Sequence, residues 1–227
     1  MSRTISCFIS VIFCLCLFAG FQSCAAKAEV TAPKTVYLTF DDGPTDSTTP
    51  KVLSVLKEKG VCATFFVVGR QIASRAEILK SIAESGNAIG IHSQTHNYKE
   101  IYASAEALEK DILTCKEEIH KVLPDYELKL YRFPGGSSGL SEHLRYVPEK
   151  CGLRFFDWNA ETGDAIQRTA PPCTMVKTAI ESGHDRDVIV LLMHDGVRYD
   201  NTVAALPSII DYYKEKDYRF LTLNELI

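Results

Sequence analysis

The chain has 227 residues, 46% hydrophobic and 24% charged, with a formal net charge of −4 at pH 7. That length suits one domain with a substantial core after an export segment is subtracted. The charge content is that of a globular protein, and with no Lys/Arg run or basic face, nucleic acid is not an expected partner.

Residues 1–26 do not read as part of the fold. Arg3 gives a short positive start, an apolar run covers 5–21, and small residues cluster at Ser23-Cys24-Ala25-Ala26-Lys27-Ala28. This is the three-part pattern of a secretory signal. Two processing routes are open. Cleavage after Ala26 or Ala28 releases a soluble protein, whereas lipidation of Cys24 leaves an anchored one. Phe21 stands where a lipoprotein usually has Leu, which favours secretion. The expected organisation is a leader over 1–26, a short linker over 27–34 and one domain over 35–227. The expected location is outside the cell or in its envelope, with a monomer favoured and membrane contact only through the leader or a lipid on Cys24. No later stretch is long and apolar enough to span a bilayer.

The domain alternates strand and helix. Strands are predicted at 35–40, 63–68, 88–91, 130–133, 155–158, 188–193 and 219–221. Helices are predicted at 49–59, 77–84, 103–123, 140–150, 172–182 and 203–216, with Gly60 and Gly86 as stops and Pro148 weakening the fourth. Apolar strands separated by helices imply a parallel sheet covered by helices. About seven units in this length predict a distorted (β/α) barrel; an open doubly wound sheet is the alternative. Of eight cysteines, Cys7, Cys14, Cys16 and Cys24 fall in the leader. Cys62, Cys115, Cys151 and Cys173 are widely spaced, which argues against a thiolate zinc site. It leaves free thiols and every disulfide pairing open.

In either architecture ligands bind at the C-terminal strand ends, and the polar residues fall there. Asp41 and Asp42 follow the first strand, and His92 and His96 the third. Arg132, Asp157, Asp164, His194 and Asp195 border later ones. His92 and His96 are spaced i, i+4, which on a helical turn faces both imidazoles the same way. A carboxylate would complete a two-histidine, one-carboxylate site suited to Zn²⁺, Co²⁺, Ni²⁺ or Fe²⁺. Asp41-Asp42 supplies it, since adjacent acids cost electrostatic energy unless a cation and an arginine absorb the charge. As an isolated feature, Asp-Asp-Gly-Pro is also good turn chemistry.

Thr39-Phe40-Asp41-Asp42-Gly43-Pro44, His92-Ser93-x-x-His96, Arg132-Phe133-Pro134-Gly135-Gly136, Asp157-Trp158-Asn159…Asp164 and Leu191-Leu192-Met193-His194 occur in that order. Together they resemble the polysaccharide deacetylases with a NodB-type domain (carbohydrate esterase family four), over about residues 34–227. The resemblance implies the distorted-barrel NodB fold and one divalent metal, zinc first and cobalt or nickel as alternatives, held by Asp42, His92 and His96. It implies Asp41 as base, Arg132 steadying it, His194 as general acid and Asp164 orienting that histidine, with Asp157 as rival for the last role. It further implies an oxyanion donor in the backbone N–H of Gly135, and Leu192 lining a pocket for the acetyl methyl. Gly135 replaces a tyrosine common in relatives and Ala165 a tryptophan, so Trp158 is the candidate to fill the missing wall. The implied partner is an acetylated polysaccharide or oligosaccharide. The implied reaction is removal of N-acetyl groups from N-acetylglucosamine units of peptidoglycan or a chitin-like polymer. Alternatives are O-deacetylation of xylan, hydrolysis of a small N-acyl or cyclic amide, and a non-catalytic carbohydrate binder.

Overall fold

The computed structural model describes residues 33–227. The proposed leader, with Cys24, lies outside the described residues. In chain order the elements are β1 (Thr35–Asp41), α1 (Thr49–Lys59), β2 (Thr64–Val68), α2 (Ala76–Glu84), β3 (Ala88–Ser93), α3 (Tyr98–Ile101) and α4 (Ala105–Val122). They continue as β4 (Leu130–Tyr131), α5 (Glu142–Arg145), α6 (Val147–Lys150), β5 (Arg154–Phe155) and β6 (Ala160–Glu161). The last are α7 (Pro172–Ser182), β7 (Val188–His194), α8 (Asp200–Glu215) and β8 (Arg219–Phe220). No helix among the described residues is long and apolar enough to cross a membrane.

Local chemistry explains the boundaries. Pro50 sits in the first turn of α1, where a missing N–H costs nothing, and Gly60 ends the helix in the left-handed region at φ 61°. The Ser104 hydroxyl accepts from Ala107 N–H at the start of α4. The helix expected over 140–150 is two short helices, and the second restarts at Val147 so that Pro148 falls in its first turn. The strand expected over 155–158 is only Arg154–Phe155; the chain then leaves the ladder and rejoins the sheet as β6, a strand not foreseen.

All pairings are parallel, in the order β5-β4-β3-β2-β1-β7-β6, with β8 against the first residues of β1. The end strands β5 and β6 do not pair, so the curled sheet stays open there, and residues 156–159 cross the gap. This is the expected distorted barrel. Side chains alternate between its two faces. Val36, Leu38 and Phe40 of β1, with Ile89 and Ile91 of β3, pack outward into the main core under the helices. Each such side chain contributes about 1.5–3 kcal/mol on burial. Tyr37, Phe66, Ala88 and Leu130 form a smaller core on the other face. Gly90 shares that face: a Cβ there would lie 2.6 Å from the Phe66 ring, so only glycine leaves room for it. Further along the same face the side chains turn polar, at Thr39, Asp41, His92 and His194, and there the site begins.

Candidate metal centre and acid–base groups

Asp41 is the last residue of β1 and is buried; Asp42 follows at φ 78°, in the left-handed region that non-glycine residues seldom adopt. The turn beyond it is laced to the end of β7. Thr45 Oγ1 donates to Asp195 O at 2.8 Å, Thr48 Oγ1 to Gly196 O at 2.8 Å, and Thr49 Oγ1 to Asp195 Oδ2 at 2.6 Å. The Asp195 carboxyl packs directly on Gly43, where any Cβ would come within 2.3 Å of it. Burial, with the charges of Asp42 and Asp41 adding, pushes Asp195 up to about 7, while the Thr49 hydroxyl bond opposes.

The two histidines do not share a helical turn as their spacing predicted. His92 lies in β3, and His96 in the loop after it at φ 55°. Their convergence comes from that loop and is held by an acid the sequence reading missed. Asp111 of α4 accepts from Ser93 Oγ at 2.8 Å, Gln94 N–H at 2.8 Å and Thr95 N–H at 3.2 Å. Ser93 Oγ in turn accepts from His96 N–H at 2.8 Å. Asp111 was legible in one respect: it interrupts an apolar helix face formed by Leu108, Ile112, Cys115 and Ile119.

The ligand atoms of Asp42, His92 and His96 all lie within 4.8 Å of one another. Asp42 Oδ1 is 3.2 Å from His96 Nε2 and 3.7 Å from His92 Nε2. His92 is buried, and desolvation lowers it to about 3 against the pull of Asp42, so its ring is neutral at pH 7. With Nδ1–H donating to Arg132 O at 2.9 Å, the Nε2 lone pair faces the carboxylates. A neutral His92 Nε2, a carboxylate oxygen and a second imidazole converging on one point fit a cation, and the His92 Nδ1 bond fixes the tautomer a metal ligand needs.

Arg132, fully buried, donates from Nη1 to Asp41 Oδ1 at 3.0 Å and to Thr39 Oγ1 at 2.6 Å. Its Nε–H goes to Phe156 O at 2.9 Å and its guanidinium lies 4.3 Å from the Phe66 ring centroid. Burial raises Asp41 from the usual carboxylate range, and Arg132 limits that rise. His194 ends β7. Its Nδ1 pairs with Asp164 Oδ1 at 2.9 Å, and Asp164 Oδ2 accepts from His194 N–H at 3.0 Å and Thr202 Oγ1 at 2.8 Å. Burial disfavours the imidazolium, but Asp164, Asp41 and Asp42 outweigh it and raise His194 to about 9.

Asp157, the rival partner for His194, goes elsewhere: its carboxylate accepts from the Ser137 N–H at 3.0 Å and from the Ser137 hydroxyl, fixing the Gly135-Gly136 loop. Gly135 and Gly136 have φ of 78° and 82°. A Cβ on Gly135 would meet Tyr98 at 3.1 Å, and one on Gly136 would meet Trp158 at 3.1 Å. Trp158 thus borders the glycine loop, half-buried, 5.8 Å from the Arg132 guanidinium carbon. Leu192 is buried two residues before His194, on the same face of β7, outside both apolar cores. Cys62, Cys115, Cys151 and Cys173 are free thiols.

A curled parallel sheet whose C-terminal rim gathers two histidines, one carboxylate and a separate acid–base pair defines an α/β-barrel protein with a candidate metal site. Comparison with known proteins is consistent with that class. Residues 28–156 match the family model for polysaccharide deacetylases. A peptidoglycan-N-acetylglucosamine deacetylase of Bacillus cereus is 31% identical over 195 residues, covering 86% of this chain and 88% of that protein. A chitooligosaccharide deacetylase of Bradyrhizobium is 28% identical over 214 residues, covering 87% and 93%. The solved structure of a Streptococcus mutans CE4 esterase superposes with a TM-score of 0.79 at 33% identity, covering 84% of this chain and 86% of that one. The chain belongs to the polysaccharide deacetylase family.

Proposed function

We propose that the chain hydrolyses N-acetyl groups of N-acetylglucosamine units in a peptidoglycan or chitin-like polysaccharide, in a metal-dependent reaction that releases acetate. The observation that carries this is the placement of Asp41 and His194 opposite each other across β1 and β7, beside the Asp42–His92–His96 cluster. The names of the similar proteins support the substrate class. A divalent cation held by Asp42, His92 and His96, zinc in the first instance, supplies Lewis acidity that eases deprotonation of water and polarises the acetyl carbonyl.

The chain's own groups do the rest. Asp41 accepts the proton of the attacking water; its burial strengthens it as a base, and Arg132 aims it. The Gly135 N–H is the donor assigned to the negative charge that develops on the carbonyl oxygen. His194, charged below about 9, protonates the departing nitrogen from Nε2 while Asp164 holds Nδ1. An amine leaves poorly as an anion, so a well-oriented acid that stays protonated at neutral pH favours amide over ester substrates. Leu192 and Trp158 border the space assigned to the acetyl methyl. From the leader pattern in residues 1–26 we propose that this activity is exported, secreted or in the cell envelope.

The test is acetate release from chitooligosaccharides, peptidoglycan and acetylated xylan, before and after chelation and zinc return. Release from the first two, lost on chelation and restored by zinc, is expected. No release from any of them by the zinc-loaded chain overturns the reading.

A further inference from the structure

Beside the metal cluster an open pocket of about 470 Å³ is lined by Asp42, His96, Arg70, Arg168 and Tyr199, among others. The site chemistry above makes no use of its two arginines. Arg168 is placed by a stack that starts at the acid itself. The Tyr199 ring lies 5.3 Å from the His194 ring at 20°, and the Arg168 guanidinium lies 5.6 Å from the Tyr199 centroid. Arg168 Nη1 also donates to Val197 O at 3.3 Å. Arg70 leaves the end of β2 on a 3-10 turn, Gly69–Gln71, pinned by Arg70 N–H donating to Gln94 O at 3.0 Å. Both side chains are exposed. Nearby acids are engaged elsewhere: Asp46 pairs with Arg75 at 2.9 Å and Asp200 with Lys51 at 2.6 Å. Among the described residues Asp42, a member of the candidate metal cluster, is the only carboxylate lining the pocket.

Two guanidinium groups without an acidic partner among the described residues, lining one pocket, form a receptor for a planar anion, because each presents a fork of donors that matches a carboxylate. Arg168 lies two stacking steps from His194, a reach that suits the sugar adjoining the one being deacetylated. We infer that Arg70 and Arg168 select a glycan in which the sugar next to the reacting N-acetyl group carries a free carboxylate, over neutral chitin-like or xylan chains. This inference rests on the deacetylase reading and narrows its substrate class.

The experiment uses three tetrasaccharides: N-acetylglucosamine alternating with N-acetylmuramic acid bearing free lactyl carboxylates, the same compound with each carboxyl converted to a methyl amide, and chitotetraose. Acetate release by the zinc-loaded chain gives kcat/KM for each. Calorimetry on the zinc-loaded Asp41→Asn chain gives binding without turnover. The free acid is expected to exceed the methyl amide by about tenfold, the size of one charge-assisted contact. That ratio should fall toward one in the Arg70→Gln/Arg168→Gln double variant and shrink as salt rises. Equal kcat/KM and equal affinity for acid and amide overturn the inference while leaving the deacetylase reading intact. A ratio unmoved by the double variant also overturns it. If none of the compounds releases acetate, the deacetylase reading fails, and the binding ratio still decides whether the arginines form an anion site.

Discussion

Asp41 and His194 are register partners: their Cα atoms sit opposite each other at the ends of β1 and β7, and the next residue, Asp195, donates its N–H to Asp41 O at 3.0 Å. The proposed base and acid, on adjacent strands of a parallel ladder, are held apart by backbone geometry rather than by flexible loops. Each also has its own buried counter-charge, Arg132 for Asp41 and Asp164 for His194. The arrangement keeps opposite protonation states side by side, which is what proton removal at one end and proton delivery at the other require.

Replacing Asp41 by Asn keeps the shape and removes the basic oxygen. Acetate release should fall by about 10²–10⁴-fold, while zinc binding, measured by calorimetry, stays close to that of the unaltered chain. His92→Ala should instead abolish zinc binding, because it deletes one of the three converging ligand atoms. Full activity in either variant sinks the roles given to these side chains.

Arg132→Met leaves Asp41 buried without its partner. Breaking a buried pair from one side costs about 3–5 kcal/mol, readable as a lowered urea midpoint with unchanged slope. Arg132 also limits the rise of the Asp41 pKa, so its loss should move the acid limb of the rate profile to higher pH. An unchanged acid limb would show that Asp41 is not the group that sets it.

Much of this was legible because the fold and the ligand types are written locally. Strand–helix alternation announced a parallel sheet, and Gly60 marked the end of α1. Asp41, Asp42, His92 and His194 stood out as polar residues at the ends of apolar strands. What was not legible depends on contacts distant in sequence or on backbone shape. The i, i+4 spacing of His92 and His96 pointed to a helix, but the Asp111 hydrogen bonds shape a loop with His96 left-handed. The packing of Asp195 against Gly43 joins the loops beyond two different strands, and no local pattern reports it. Residues 155–158 read as one strand because their apolar and aromatic content gives no sign that the sheet is open at that point.

Asp111→Ala tests the loop directly. It frees a buried donor on Ser93 and part-buried donors on Gln94 and Thr95, a buried unsatisfied donor costing about 1–3 kcal/mol. It should also weaken zinc binding by about 10–100-fold, as loss of a group that orients a ligand does. The visible spectrum of the cobalt-loaded chain should change as well, which a general loss of stability would not cause. An unaltered spectrum and affinity would restrict Asp111 to a packing role.

The alkaline limb of the rate profile is expected to follow His194. Its folded pKa of about 9 lies above the ordinary histidine value of about 6.5, so it is charged and able to donate across neutral pH. Turnover should decline as pH rises through about 9. Stability follows the same sign: the His194–Asp164 contribution is fully present below about 6.5 and is lost as pH rises through about 9. Asp164→Asn removes the charge and one of the two accepting oxygens that raise the pKa, while burial, which lowers it, remains. The alkaline limb should therefore shift to lower pH, with a smaller maximal rate, and the stability decline should shift with it. A limb that stays near 9 in this variant would transfer the acid role to another group.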